Sequence, residues 1–245
     1  MKAVILAAGQ GTRIRSVHGE HPKCLIEVDG RTIVDHQLEA LAMAGINDVT
    51  IVVGYEKDQI VSLVKSRDFD CQRIHFIKNP AFAITNNIYS LWLALEWLRG
   101  DSFIVLNADV IFDPEILSAA VHPCAPVSMI VDPLWRDETM KVVVEGDRVT
   151  RMSKKISREE FSGTYIGISI FSKVIQDRFF CTMNELISAG QVNEFFNVAV
   201  QELANEGVRV GYTSTDGLAW AEIDDPLDLT FAQQNIFPQL ATAVL

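Results

Sequence analysis

Apolar strands and amphipathic helices alternate along the first half of the chain. A continuous apolar run, Ala3 to Ala8, and a β-branched run, Val49 to Val53, are each followed by a glycine and are typical of buried strands. Between them, a helix that ends near Gly45 is predicted by apolar residues at three- and four-residue steps: Val34, Leu38, Leu41, Ala42 and Ile46. This alternation predicts an α/β fold with a mostly parallel central sheet, flanking helices and right-handed crossovers.

The alternation continues as far as Asp113. We expect helices near Asp58 to Lys65 and near Asn87 to Leu98, and strands at Arg73 to Ile77 and at Phe103 to Leu106. Ligands of such sheets bind beyond the carboxyl ends of the strands, so residues that follow these strands are the first candidates for a site.

Beyond Asp113, short strands separated by turn residues predict a β-rich lobe inserted into the same α/β domain. These strands are Val127 to Val131, Lys141 to Glu145 and Arg148 to Met152, with Glu145-Gly146-Asp147 as a hairpin turn. The tail is expected to add a helix at Asn193 to Asn205, strands at Val208 to Tyr212 and Leu218 to Ile223, and a helix that begins at Pro226.

Composition and charge exclude several classes of protein. The chain has 245 residues, of which 49% are hydrophobic and 22% charged, as in an ordinary globular domain. Its net charge of −11 argues against nucleic acid as a partner. We expect no membrane segment, because the apolar runs are far shorter than the roughly 18–20 residues needed, and no signal peptide, which favours the cytoplasm. The scattered cysteines Cys24, Cys71, Cys124 and Cys181 are expected to be reduced thiols.

A glycine turn follows the first strand. It reads Leu6-Ala7-Ala8-Gly9-Gln10-Gly11-Thr12-Arg13, and small residues there let backbone N–H groups approach an anion. Arg13 at its end and Lys23 after Pro22 are two cations suited to phosphates. The turn is neither the G-x-G-x-x-G fingerprint, which disfavours a nicotinamide-dependent dehydrogenase, nor the phosphate loop with lysine directly after its second glycine.

Two aspartates follow apolar strands in distant parts of the sequence. Asp109 comes after Phe103 to Leu106, and Asp224 comes after Leu218 to Ile223. If they converge, the pair suits Mg²⁺, which favours one or two carboxylates together with phosphate oxygens and water. The alternative is that each caps the next helix, an alternative that is strongest for Asp224 before Asp225-Pro226.

Together, these motifs resemble the sugar-phosphate nucleotidyltransferase family. The resemblance rests on the glycine turn, Pro22-Lys23, the segment Leu25 to Gly30, and the string Asn107-Ala108-Asp109-Val110, and it covers nearly the whole chain. It implies a Rossmann-like nucleotidyltransferase fold in one domain, 1–245, with a nucleotide-binding part at about 1–113 and an acceptor-binding, metal-completing part at about 114–245.

One further string points to a branch of this family. Asn86-Asn87-Ile88-Tyr89-Ser90-Leu91 resembles the bacterial choline-phosphate and phosphonate cytidylyltransferases. For the site, the resemblance implies Arg13 and Lys23 as catalytic cations, Mg²⁺ on Asp109 and Asp224, and an acceptor contacted by Lys154, Tyr165 and Glu222. The implied nucleotide-binding residues are Leu6, Ala7, Ala8, Gly9, Gly11, Thr12, Asn86, Asn87 and Ser90. Helix capping by the asparagines and a solvated Lys154 remain as alternatives.

The resemblance implies magnesium-dependent transfer of CMP from CTP to a phosphorylated or phosphonate small molecule, of the phosphocholine or aminoethylphosphonate type, with release of pyrophosphate. Two alternatives stay open: a sugar-1-phosphate nucleotidyltransferase that uses UTP, dTTP or GTP, and a non-catalytic nucleotide-binding regulatory subunit. Oligomeric state also stays open, because the apolar segment Phe231 to Leu245 can pack on its own core or on a second copy.

Overall fold

The computed structural model describes residues 1–67, 69, 72–121 and 125–242; Cys71 and Cys124 lie outside the described residues. The strands are β1 (Lys2–Ala7), β2 (Glu27–Val28), β3 (Arg31–Thr32), β4 (Asp48–Val53), β5 (Arg73–Lys78), β6 (Phe103–Asn107), β7 (Val110–Phe112), β8 (Val127–Asp132), β9 (Lys141–Glu145), β10 (Arg148–Ser153), β11 (Gly163–Phe171), β12 (Val210–Ser214) and β13 (Trp220–Glu222). The helices are α1 (Arg15–His18), α2 (Ile33–Met43), α3 (Lys57–Ser66), α4 (Asn87–Leu98), α5 (Glu115–Ala120), α6 (Gln176–Ser188), α7 (Asn197–Asn205), α8 (Pro226–Asn235) and α9 (Phe237–Thr242).

A mixed central sheet organises the fold. Within the described residues it has nine strands, with β10-β9-β11-β6-β1-β4-β5 in order and β8 pairing both β11 and β12. Strands β6, β1, β4 and β5 are parallel, which confirms the sheet predicted from the alternation.

The β-rich segment continues this sheet instead of forming a lobe of its own. Strand β11 pairs antiparallel with β6, and β9 and β8 both pair with β11, so the antiparallel strands extend the parallel half. This corrects the expectation of an inserted lobe. Strand β11 and helix α6 were not predicted from the sequence.

Strand β11 changes partners near Gly167. Its pairing with β8 shifts register between Tyr165 and Ser169, and Gly167 has φ +87°, a left-handed conformation that favours glycine. A Cβ there would lie 2.9 Å from Val110 Cγ2, too close for any real side chain. Glycine therefore lets β11 cross above the turn that follows β6.

The sheet has an apolar core on each face, because successive side chains along a buried strand point in opposite directions. In β1, Val4 and Leu6 join the core covered by α4, α6 and α7. Ala3, Ile5 and Ala7 join the core covered by α2, α3 and α5. A continuous apolar run such as β1 is therefore required by burial on both sides.

A third apolar cluster fixes the C-terminal helices. Ala232 in α8, Ile236 between the two helices and Leu240 in α9 belong to this cluster. They pack with Ile111 in β7 and with Ile223, which directly follows β13. As far as the described residues extend, the tail packs on its own core. None of the helices in the described ranges has the length and apolar character needed to cross a membrane.

Candidate active site

The glycine turn lies at the carboxyl end of β1, where the parallel strands open. Gly11 has φ +58°, and a Cβ on it would meet Lys23 Cγ at 3.0 Å. Glycine therefore allows the lysine side chain to cross the turn. Leu6, Ala7, Gly9 and Gly11 line one small cavity together with Lys23 and Asp109, whereas Thr12 is exposed outside it.

Lys23 joins the two predicted metal ligands. Its Nζ donates to Asp109 Oδ2 at 3.2 Å and also to Asp224 Oδ1, and Arg13 Nη2 donates to Asp224 Oδ2 at 2.6 Å. The side chains of Lys23, Asp109 and Asp224 are 15%, 23% and 21% exposed, so these charges are partly withdrawn from water. Four residues from three distant parts of the sequence thus lie together.

A short antiparallel ladder brings the aspartates together. Strand β13 pairs with β7 so that Glu222 lies opposite Val110, and Ile223 N–H donates to Asp109 O at 2.9 Å. The next residue along the chain is Asp224. The ladder therefore places Asp224 beside Asp109, a convergence that strand propensity alone does not reveal.

Capping of α8 is done by Asp225, which leaves Asp224 free to face the site. Asp225 Oδ1 accepts from Leu227 N–H and Asp228 N–H, while Asp228 Oδ2 accepts from Asp225 N–H and Asp224 N–H. This is a reciprocal capping box with Pro226 at the first helical position.

Glu222 completes a group of three carboxylates. Oxygens of Asp109, Glu222 and Asp224 all lie within 4.8 Å of one another. Burial, followed by repulsion from Asp109 and Asp224, raises the pKa of Glu222 to about 8. Burial also opposes ionisation of Asp224, but attraction to Lys23 and Arg13 outweighs it and lowers the pKa of Asp224.

This donor set fits Mg²⁺. Clustered carboxylate oxygens are the ligands that Mg²⁺ favours, and the Lys23 ammonium between Asp109 and Asp224 marks the place where these carboxylates attract a cation. Asp109 and Asp224 would hold the ion. The placement of Glu222 in this cluster differs from the acceptor contact predicted for it.

A second wall of the site is formed by amide and hydroxyl groups around the start of α4. Asn86 Oδ1 accepts from Asn87 N–H at 2.7 Å, and Asn87 Oδ1 accepts from Phe196 N–H at 2.8 Å. Ser90 Oγ accepts from Asn79 Nδ2 at 3.0 Å. Asn79, Asn86, Asn87 and Ser90 line one cavity together with Leu6, Ala8, Gly9, Arg13, Asp109, Lys154, Glu222 and Asp224.

Sequence reasoning missed several residues of this wall. Asn79 is buried, and its Nδ2 also donates to Thr85 Oγ1 at 3.1 Å. Phe82, Asn107 and Phe195 line the same cavity. Asn79-Pro80, directly after the predicted strand Arg73 to Ile77, is a signal that could have included Asn79. Nothing local marks Phe195, which comes from a distant loop.

Of the predicted acceptor contacts, Lys154 and Tyr165 have different surroundings in the structure. Lys154 lines the cavity and lies 5.0 Å over the ring of Phe195. Tyr165 does not line it: the side chain is buried, and its hydroxyl pairs with Ser169 Oγ at 2.8 Å. Burial raises the pKa of Tyr165. Because strand alternation turns Tyr165 into the core, the expectation of an acceptor contact from its side chain is corrected.

The family follows from a direct match. A model of the MobA-like NTP transferase domain matches residues 3–160, more than half of the chain. The chain belongs to this family. The match in this MobA-like NTP transferase domain includes the glycine turn, Lys23, Asn86, Asp109 and Lys154. Asp224 lies beyond the matched residues and reaches the site through the pairing of β13 with β7.

Two of the relatives are named for CMP or cytidylyl products and activities. The chain is 30% identical, over 97% of its length, to CMP-5'-(3-aminopropyl)phosphonate synthase of Streptomyces rubellomurinus. It is 39% identical, over 44% of its length, to choline-phosphate cytidylyltransferase of Streptococcus pneumoniae. The chain spans only 39% and 44% of these two proteins.

A solved structure has the same fold. The inositol-1-phosphate CTP transferase from T. maritima superposes on this chain with a TM-score of 0.84 at 20% identity, covering 99% of this chain and 95% of that one. This likeness shows that the mixed sheet and its flanking helices form a known nucleotidyltransferase fold.

Proposed function

We propose that the chain is a magnesium-dependent cytidylyltransferase that transfers CMP from CTP to a phosphorylated or phosphonate small molecule. The observation that carries the proposal is the convergence of Lys23, Arg13, Asp109 and Asp224 beside a glycine turn and an amide-lined cavity. The names of the relatives support CTP as the nucleotide.

In this reaction an acceptor oxygen attacks the α-phosphorus of CTP. A phosphorus–oxygen bond forms there, and the bond to the β-phosphate oxygen breaks with its electron pair, which releases pyrophosphate. A phosphomonoester has its second pKa near about 6 and arrives mostly as a dianion, so the acceptor needs no general base. Repulsion between anions is the main obstacle.

The cations of the site reduce the repulsion between these anions. In the proposed reaction Arg13 holds the leaving phosphates, and Lys23, which reaches across the glycine turn, neutralises the α-phosphoryl group. Mg²⁺ on Asp109 and Asp224 would supply further charge neutralisation when bound. Lys154, which lines the same cavity as Arg13, receives the acceptor phosphate.

Two amide groups support cytosine over uracil. The Oδ1 atoms of Asn86 and Asn87 accept backbone N–H bonds, whereas their Nδ2 groups donate to no residue in the described part of the chain. These free donors complement O2 and N3 of cytosine, which both accept. In uracil N3 carries a proton, so of the atoms O2 and N3 only O2 accepts.

The test is pyrophosphate release with CTP, UTP, dTTP, GTP and ATP, each with Mg²⁺. Acceptors are phosphocholine, aminoethylphosphonate, other alcohol phosphates and hexose 1-phosphates. We expect turnover with CTP and a phosphate or phosphonate acceptor, lost by about 100-fold or more in Lys23→Ala. Lys65→Ala, an exposed lysine on α3, is the matched control and is expected to keep full activity.

Two other results would overturn the proposal. Turnover only with UTP, dTTP or GTP and a hexose 1-phosphate would identify a sugar-1-phosphate nucleotidyltransferase. CTP binding without turnover by any acceptor would identify a nucleotide-binding regulatory protein.

A further inference from the structure

A second cavity adjoins the reaction centre. It has a volume of about 560 Å³ and lies between the segment 134–139 and helix α8. Arg13, Glu222 and Asp224 line both this cavity and the amide-lined one. A molecule that fills it can therefore reach the phosphate-binding residues with one end.

The guanidinium of Arg136 in this cavity forms no ion pair. It lies 4.2 Å from the centroid of the Trp220 ring and 5.4 Å from that of the Phe231 ring. Across residues 1–67, 69, 72–121 and 125–242, the Arg136 side chain forms no hydrogen bond and no ion pair within 4.0 Å. The two rings therefore hold the guanidinium while its N–H groups, which favour planar anions such as carboxylates, have no hydrogen-bond partner among these residues.

Hydrogen bonds to Asp132 hold the loop that carries Arg136. Asp132 is buried, and its Oδ2 accepts from Trp220 Nε1 at 2.8 Å and from Thr215 Oγ1 at 2.8 Å. Asp132 Oδ1 accepts from Leu134 N–H at 2.8 Å. Since the same carboxylate holds the loop and the stacking ring Trp220, the position of Arg136 is set before any ligand arrives.

Two acidic groups around Arg136 are engaged elsewhere, and Glu222 belongs to the carboxylate cluster of the site. Glu138 lies 3.6 Å from Arg13, and Asp137 Oδ1 accepts from Trp135 Nε1 at 2.8 Å. Asp228 Oδ2 accepts from two backbone N–H groups, but its Oδ1 accepts from no group in the described residues. Asp228 lines the same cavity as Arg136 and attracts its charge, but the two form no ion pair within 4.0 Å.

A cation and an anion that share a cavity without touching are complementary to a ligand that carries both charges. We propose that this cavity binds the far end of the acceptor, and that this end is an α-amino acid group whose carboxylate pairs with Arg136 and whose ammonium faces Asp228. The inference rests on the proposed function, because the other end of the acceptor must be the attacking phosphate or phosphonate.

The rim of the cavity suits the linker between these two ends. Leu134, Leu227 and Phe231 line the cavity and are 65%, 79% and 45% exposed. Exposed apolar side chains at a cavity mouth favour methylene groups of a bound molecule.

The test uses four phosphonates of matched chain length. 2-Amino-4-phosphonobutyrate carries both groups, 4-phosphonobutyrate only the carboxylate, 3-aminopropylphosphonate only the ammonium, and propylphosphonate neither. We expect kcat/KM with CTP to be highest for the first and to fall at least about 10-fold when the carboxylate is removed. The fall in kcat/KM should appear as a higher KM, with kcat little changed.

Substitutions of Arg136 test whether this residue recognises the carboxylate of the phosphonate. Arg136→Gln should lower kcat/KM for the two carboxylate-bearing phosphonates by about 100-fold and change it less than about 3-fold for the other two. Arg136→Lys, which keeps the charge but lacks the planar fork, should fall between. The control is Arg99→Gln, which removes an arginine stacked 5.3 Å over Phe180 beyond the far end of α4 and should change neither class.

Two outcomes separate this inference from the proposed function. Equal turnover of phosphonates with and without the carboxylate would overturn the α-amino acid assignment and leave cytidylyl transfer standing. If no phosphonate turns over, calorimetry decides: binding of 2-amino-4-phosphonobutyrate that Arg136→Gln weakens about 100-fold supports the cavity assignment. Absence of such binding overturns it.

Discussion

Lys23 holds two carboxylates that would otherwise repel each other. Asp109 and Asp224 are about four-fifths buried and share the ammonium of Lys23, while Arg13 adds a second cation on Asp224. In such a group the loss of one charge costs more than the loss of a balanced pair, because the remaining charges stay desolvated.

A double-mutant cycle tests that balance. We expect Lys23→Met to lower the free energy of unfolding by about 2 kcal/mol without Mg²⁺. Adding Asp224→Asn to Lys23→Met should recover part of the loss, since it removes the carboxylate left without its lysine. Chemical denaturation of the two single variants and the double variant measures the coupling, and strictly additive effects would contradict a shared charge balance.

Cys24, next to Lys23, predicts a pH dependence of stability. Burial, with a smaller effect of Asp109, raises the pKa of the Cys24 thiol to about 12, whereas an unfolded thiol ionises near about 8.5. Above that pH the unfolded chain loses the proton and the folded chain keeps it, so stability present below about pH 8.5 is lost as pH rises.

The loss from this one thiol is about 1.4 kcal/mol per pH unit. Unfolding free energies of the wild-type chain and Cys24→Ala between pH 8 and pH 10.5 measure it. The variant is expected to start less stable, because it leaves a cavity, and to lose stability more slowly. Parallel pH curves would show that Cys24 ionises equally well in both states.

At the level of elements, capping of α8 positions one residue of the site. Asp225 caps the helix and Asp228 closes the capping box on the backbone of Asp224 and Asp225. Helix stability and the position of the Asp224 backbone are therefore set by the same hydrogen bonds.

Removal of this cap should affect stability and activity together. Asp225→Ala is expected to lower the free energy of unfolding by about 1 kcal/mol, and Asp225→Ser, which keeps a capping oxygen, by less. Thermal unfolding measures the first effect and steady-state kinetics the second. An unchanged kcat in Asp225→Ala would show that Asp224 does not depend on the cap.

The sequence predicted the helices and strands better than it predicted which strands pair. The bounds of α4 and β9 were predicted to the residue, and β1 and β4 to within one residue, because hydrophobic periodicity is local. The sequence does not predict strand β11, because both its faces are buried and Gly167 and Ser169 interrupt its apolar run. Pairing of β11 with β6 depends on residues more than sixty positions apart, which no local pattern contains.

The same limit applies to the site. The glycine turn, Lys23 and Asp109 follow from short motifs. Arg136 carries no motif, and its significance depends on two aromatic rings from β13 and α8 that only the folded chain brings to it. Tyr165 shows the converse, because a residue type suited to a ligand can still point into the core.

On the scale of the whole molecule, the sheet joins the two parts suggested by the sequence. Phe103 in β6 stacks on Phe171 in β11 with ring centroids 4.7 Å apart, and the core beneath α4 includes Phe179 and Met183 of α6. Neither part of the chain completes this core alone.

A fragment comparison tests this dependence. We expect residues 1–113 alone to show no cooperative unfolding transition, because β6 would lose its antiparallel partner and α4 would expose its apolar face. The full chain should unfold in a single transition. Calorimetry of both distinguishes the cases, and a cooperative transition in the fragment would mean that the nucleotide-binding part is a domain of its own.

The three-residue ladder between β7 and β13 also determines when the site forms during synthesis. Asp109 leaves the ribosome more than a hundred residues before Asp224, yet the pair forms only after β13 has docked on β7. A nascent chain therefore carries the glycine turn long before its two aspartates can meet. Since more than a hundred residues separate Asp109 from Asp224, the carboxylate pair cannot assemble until both parts of the sheet described above have left the ribosome.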